Sequence, residues 1–85
     1  MAKHKVADYI PVDGPIVRLP ATAAKLGLEK LQSLVGGYFE HALGRARTEV
    51  WCNENGLAEG LAYNARASQR SGLDIVGNAV IEAWE

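Results

Sequence analysis

An 85-residue chain has room for one core, because at this size only about 60–65% of the unfolded surface is buried and stability stays marginal. Hydrophobic residues make up 48% and charged residues 22%, well away from the composition that keeps a chain disordered. Nine Lys and Arg against ten Asp and Glu leave a net charge of −1, so no global field draws the chain onto nucleic acid or an anionic membrane, and such binding would need a local patch.

The opening Met1-Ala2-Lys3-His4-Lys5 is basic and is expected to be a mobile tail over 1–4, but Asp8 interrupts what would be the apolar core of a signal peptide. From Val6 to Val12 the even positions Val6, Ile10 and Val12 are apolar, the period of a half-buried strand, with Asp8 as the misfit and Pro11 restricting the strand to an edge. Asp13-Gly14 marks a turn, and 15–20, with proline at both ends, returns as a short extended segment.

From Thr22, a candidate N-cap, the period becomes helical: Ala24, Leu28, Leu31 and Val35 share one face, widened by Leu34. Gly36-Gly37 suits the left-handed cap of that helix, while Gly27 weakens its first half by about 1 kcal/mol and moves its start towards Leu28. A strand over 38–43, a connection over 44–47 and a second strand over 48–53 follow. Asn55-Gly56 then predicts a hairpin, with 57–61 as its returning arm. Asn64 caps a short polar helix ending at Gly72, and 74–84, rich in β-branched residues, reads as a strand or a strand pair broken at Gly77-Asn78. The order ββ-α-ββ-(β)-α-β predicts a single α+β domain over 1–85: a mixed or antiparallel sheet crossed by one principal helix, with a second short helix, β-grasp-like or split.

The stretch Leu31-Gln32-Ser33-Leu34-Val35-Gly36-Gly37-Tyr38-Phe39-Glu40, together with Asn53-Glu54-Asn55-Gly56, Asn64 and Gly77 in that order, resembles a family of small domains of unknown function found in bacteriophages, plasmids and actinobacterial genomes. The likeness spans about 28–82; Ala67-Ser68 stands where the family has Ala-Thr, and the segment up to Pro20 shows no counterpart. The resemblance implies a phage or mobile-element context in a bacterial cytoplasm, and it implies no activity.

Glu40, Asn53, Glu54 and Asn64 sit at the positions of this resemblance and would make a polar site if they converge; turn and cap chemistry explains the same residue types without one. His41 and Cys52 fall on adjacent strands as a conceivable base and nucleophile, but the pair needs contact and an orienting third group, and a lone cysteine is usually a small core residue. One cysteine and two histidines supply neither a disulfide nor a thiolate zinc site, which fits a reducing compartment, and no run of about 18 apolar residues offers a membrane span. No cofactor or metal is expected. Arg66 and Arg70 with Tyr63 and Asn64 could hold a small anionic nucleotide between two copies, and Trp51 adds a stacking surface; the balanced charge disfavours nucleic acid.

The leading expectation is therefore a non-enzymatic accessory protein that binds a host protein, itself paired as a homodimer to cover an edge strand. A sponge for an anionic signalling nucleotide and a weak nucleic-acid-binding module are the alternatives.

Overall fold

In the computed structural model, which describes residues 3–85, five strands form one antiparallel sheet in the order β2-β1-β5-β4-β3. These are β1 (Lys5–Ile10), β2 (Val17–Arg18), β3 (Phe39–Leu43), β4 (Glu49–Asn53) and β5 (Ala79–Trp84). Helices α1 (Ala23–Leu26) and α2 (Leu28–Val35) lie between β2 and β3, and α3 (Ala65–Ser71) lies between β4 and β5. The α+β expectation stands, with differences in detail. Pro11 does not make β1 an edge, because it falls just after the strand, and β1 pairs with both β2 and β5. Nor does His4 hang loose: its amide and carbonyl exchange hydrogen bonds of 3.1 and 2.9 Å with Glu85, extending the central ladder. Of the rest of the expected mobile tail, Lys3 is exposed and outside the strand, and Met1 and Ala2 lie outside the described residues.

The register separates the side chains into two layers, since successive residues point to opposite faces of a strand. Ala7 and Val80 face α1 and α2, packing with Ala23 and Leu31, and Tyr9, Phe39 and Trp51 flank them. Ile10, Val50, Cys52, Ala79 and Ile81 face the other way and pack with Ala67 of α3 and Ile75. The sheet is thus covered on both sides, and burying each of the large aliphatic side chains here contributes about 1.5–3 kcal/mol.

The first helix is shorter than its sequence stripe suggests. Gly27 interrupts it, so that α1 is a single turn, and Leu28 and Ala24 end up exposed while Leu31 and Val35 are buried. Thr22 makes no side-chain cap; the Ala23 amide donates instead to the Glu82 carboxylate at 2.8 Å. At the far end Gly36 takes the left-handed conformation (φ 81°) expected of a cap, its amide bonded to the Gln32 carbonyl.

The β-hairpin turn lies elsewhere than expected. β3 and β4 are joined through Ala46 and Arg47, both at positive φ (52° and 60°), with the Thr48 amide bonded to the Arg45 carbonyl as in a type I′ turn. Asn55-Gly56 makes no hairpin. The Asn53 side chain accepts the Asn55 amide, and consecutive turns over 54–60 lead into a segment that pairs not with β4 but with the stretch before β5, through a bridge between Tyr63 and Val76. The expected strand over 57–61 is therefore absent.

Candidate functional site

Helix α3 packs over the centre of the sheet and leaves β3 and the outer half of β4 uncovered on its side. What closes around that gap is fixed by Asn64 and Ser68. Asn64 is fully buried; its Oδ1 accepts the Ala67 amide, capping α3, and its Nδ2 donates to the carbonyls of Ile10 and Gly77, both at 2.9 Å. One side chain thereby ties the helix to the end of β1 and to the turn that leads into β5. Ser68 Oγ accepts the Ile75 amide at 2.8 Å and holds the segment 73–76 against α3. Gly44, at the end of β3, touches the Ser71 backbone so closely that a Cβ there would overlap it.

Between this scaffold and the sheet runs a groove of about 690 Å³, a volume typical of ligand sites. Its floor and walls are apolar, from Ala42, Leu57, Leu73, Ile75 and Val76. Leu57 is 84% exposed and Tyr63 54%, so the groove offers hydrophobic surface to water. Glu40, Glu54 and Asp74 line it as well, all exposed, and no Lys, Arg or His is among the lining residues. Arg45 lies in the neighbouring hollow that shares Tyr63 and Asp74, and its guanidinium is committed to the carbonyls of Gln69 and Arg70.

Of the residues marked out by sequence, Glu40, Asn53, Glu54 and Tyr63 line this groove. The amide of Asn53 is turned to the other layer, where it donates to the Val35 carbonyl at 3.4 Å, so its side chain serves the join between α2 and β4. Asn64 does not reach the groove. Arg66 donates to the Pro11 carbonyl at 2.7 Å, and Arg70 pairs with Asp8 at 3.1 Å. Trp51 lies on the opposite face against His41, ring centres 4.8 Å apart. The anionic-nucleotide set of Arg66, Arg70, Tyr63 and Asn64 thus does not converge: both guanidiniums are spent on the fold, and Tyr63 stands among carboxylates.

The cysteine–histidine pair fails for a reason of parity. His41 is registered opposite Trp51 and Cys52 opposite Glu40, which places them on different faces of the sheet. Burial pushes the Cys52 thiol up to about 11, with the Glu40 carboxylate 3.8 Å away adding to the shift, so the thiolate that a nucleophile requires is scarce at neutral pH.

Several of the other charges are paired. Asp8, the misfit of the first strand, is buried between Arg18 at 2.6 Å and Arg70 at 3.1 Å. On the α2 side Glu49 and Glu82 are direct cross-strand neighbours, and Lys5 bridges them at 3.0 and 3.5 Å. The hydrogen bond from Lys5, helped by one from His41, holds Glu49 below the usual carboxylate range. Among the described residues no cluster of His, Cys, Asp or Glu has the geometry of a metal site, and no helix is long and apolar enough to cross a membrane.

Sequence reasoning missed Leu57, Asp74, Ile75 and Val76. The first falls in an expected strand that does not form and the others in the expected C-terminal strand or strand pair broken at Gly77-Asn78, of which only Ala79–Trp84 is a sheet strand, and the pairing of Tyr63 with Val76 brings them together.

The family model for a domain of unknown function, DUF3846, matches residues 10–84. The chain belongs to this family. The match begins at Ile10, the last residue of β1, and takes in β2 to β5, so it extends beyond the segment picked out by the motif resemblance. Comparisons with curated proteins and with solved structures return no match.

Proposed function

We propose that this DUF3846 domain is a non-enzymatic accessory protein of a phage or mobile element, acting in the bacterial cytoplasm by binding a host protein, and that the groove over β3 and β4 is where the host protein docks. The supporting observation is the groove's composition: an exposed apolar surface rimmed by three carboxylates with no cation among the lining residues. A complementary partner presents an apolar side chain for the pocket beside Leu57 and Tyr63, and flanking Lys or Arg for Glu40, Glu54 and Asp74. Apolar anchors of this kind supply most of the affinity, while the charges set orientation and choice of partner. The phage or mobile-element setting rests on the motif resemblance around Val35–Tyr38 and Asn53–Gly56.

The same composition weighs against the nucleotide sponge and the nucleic-acid module, because both would bring phosphates to a rim of like charge. The separation of His41 from Cys52 and the raised thiol weigh against a cysteine nucleophile.

The test uses fluorescence anisotropy with a labelled peptide alternating leucine and lysine, and a control in which glutamate replaces lysine. The lysine peptide is expected to bind more weakly as salt rises and to lose about tenfold or more in affinity with Glu54→Lys or Leu57→Asp. A bacterial protein captured from lysate by the wild type should be lost with the same variants. Equal binding of both peptides, or binding indifferent to the two substitutions, would overturn the reading.

A further inference from the structure

The two edges of the sheet are guarded very differently. β2 contributes only Val17 and Arg18 and is bracketed by Pro15 and Pro20, the features with which proteins blunt an edge. β3 is five residues long and contains no proline, no lysine and no bulge in its pairing with β4. Its outer backbone groups can be identified from its inner ones. The Gly44 amide donates to the Thr48 carbonyl and the Glu54 amide to the Tyr38 carbonyl, so even-numbered residues of this strand turn towards β4. By alternation, the amides and carbonyls of Phe39, His41 and Leu43 face outward, where no further strand of the sheet lies.

We infer that this edge is covered by a second copy of the chain, β3 pairing antiparallel with β3 of its partner about a two-fold axis at His41. A two-fold perpendicular to the sheet must pair residues on the same face, and centring it on His41 uses the whole strand. His41 then meets its own copy, and Phe39 meets Leu43 at each end, giving about six hydrogen bonds between outward-facing groups. The side chains agree with that register. Leu43, 67% exposed, gains Phe39 as a cross-strand apolar partner, a type of pair that stabilises sheets. Glu40 faces Ala42 rather than the other Glu40, so no carboxylates stand directly opposed.

Pairing also changes the groove, and this part rests on the docking reading above. Glu40 and Ala42 line the groove and lie on the strand that would be shared. The grooves of two copies therefore join across the axis into one trough, floored by β4, β3 and their symmetry mates and walled by the 54–63 and 73–76 segments of both. Glu40 of each copy contributes to the shared floor. The trough is two-fold symmetric and takes two equivalent partner segments.

Light scattering coupled to size-exclusion chromatography of the full chain tests the pairing apart from any ligand. The expected mass is that of a dimer, with the dissociation constant rising roughly a hundredfold or more on Leu43→Lys or His41→Pro while circular dichroism is unchanged. Leu43→Lys alone decides the matter if the proline variant fails to fold. In a separate arm, His41→Cys should form an intermolecular disulfide on mild oxidation, because residues facing each other in such a pair have Cα atoms about 5.5 Å apart. The more exposed control Leu57→Cys should not. A monomer at every concentration, or a dimer indifferent to Leu43→Lys, would overturn the pairing. A dimer that binds no Leu/Lys peptide would leave the pairing standing and remove the docking reading.

Discussion

On the α2 side of the sheet, two helical segments lie over β5, β4 and β3, and the acidic side chains there are answered by neighbours: Lys5 bridges Glu49 and Glu82, and Glu82 also takes the first amide of α1. On the α3 side one seven-residue helix covers the centre of the sheet, and the outer strands are left to a groove whose three carboxylates have no lining cation. Both faces come from the same strands, so the difference is one of cover rather than of strand composition. The open face of so small a domain depends on a few well-made hydrogen bonds that brace its rim, and here Asn64 and Ser68 make them.

The largest expected contrast between the faces follows from removing such a brace. Asn64→Ala should cost about 2–4 kcal/mol, since it takes away the α3 cap and leaves two buried carbonyls without their donor. Asn53→Ala, which loses two long bonds to the α2 terminus at 3.4 and 3.5 Å and the 2.8 Å bond from the Asn55 amide but no helix cap, should cost less, about 1–2 kcal/mol. Urea denaturation of the two variants reads the difference directly, and equal losses would mean that α3 is not pinned through one residue. Next in size, Gly44→Ala drives a methyl group into the Ser71 backbone and should cost about 1–3 kcal/mol, with protection of the α3 amides from hydrogen exchange falling more than that of α2.

The hairpin turn at the rim gives an effect of opposite sign. Ala46 and Arg47 both hold a conformation that L-residues with a Cβ adopt at a cost of about 1–2 kcal/mol each. Ala46→Asn with Arg47→Gly should therefore stabilise the domain by roughly 1–2 kcal/mol, visible as a melting temperature several degrees higher. The smallest effect belongs to the covered face. The pKa of Glu49 is depressed in the folded state, so its contribution is present above the ordinary glutamate pKa of about 4.3 and fades as pH falls through the lower folded value. Glu49→Gln should lower stability slightly at neutral pH and leave it nearly unchanged at low pH, which flattens the acid limb of stability against pH.

These two turns also show what can be learned from sequence. Asn55-Gly56 has the residue types of a hairpin, yet Asn53 captures the Asn55 amide and the chain leaves the sheet to build the groove wall. Ala46-Arg47 has none of those types and makes the hairpin, because the pairing of β3 with β4 imposes it. The α+β class, the cap at Gly36 and the helix begun by Asn64 were legible, since each depends on local periodicity or on one residue's conformational preference. The face on which a side chain points was not. A shift of one residue reverses it, and for that reason His41 and Cys52 looked like neighbours; Asp8 does share the face of Ile10, but its partners Arg18 and Arg70 are brought to it only by tertiary packing. Glu40, Glu54 and Tyr63 could be singled out by type, whereas Leu57, Asp74 and Val76 join them only through tertiary pairing.

The most direct measurement is an NMR titration of the labelled full chain with the leucine–lysine peptide, following backbone amides. Changes confined to Glu40, Ala42, Glu54, Leu57, Tyr63 and 73–76, with α2 and Trp51 unmoved, are the expected result. Saturable changes centred on the Lys5, Glu49 and Glu82 face, or none at concentrations where anisotropy reports binding, would contradict the assignment of the open face as the docking site.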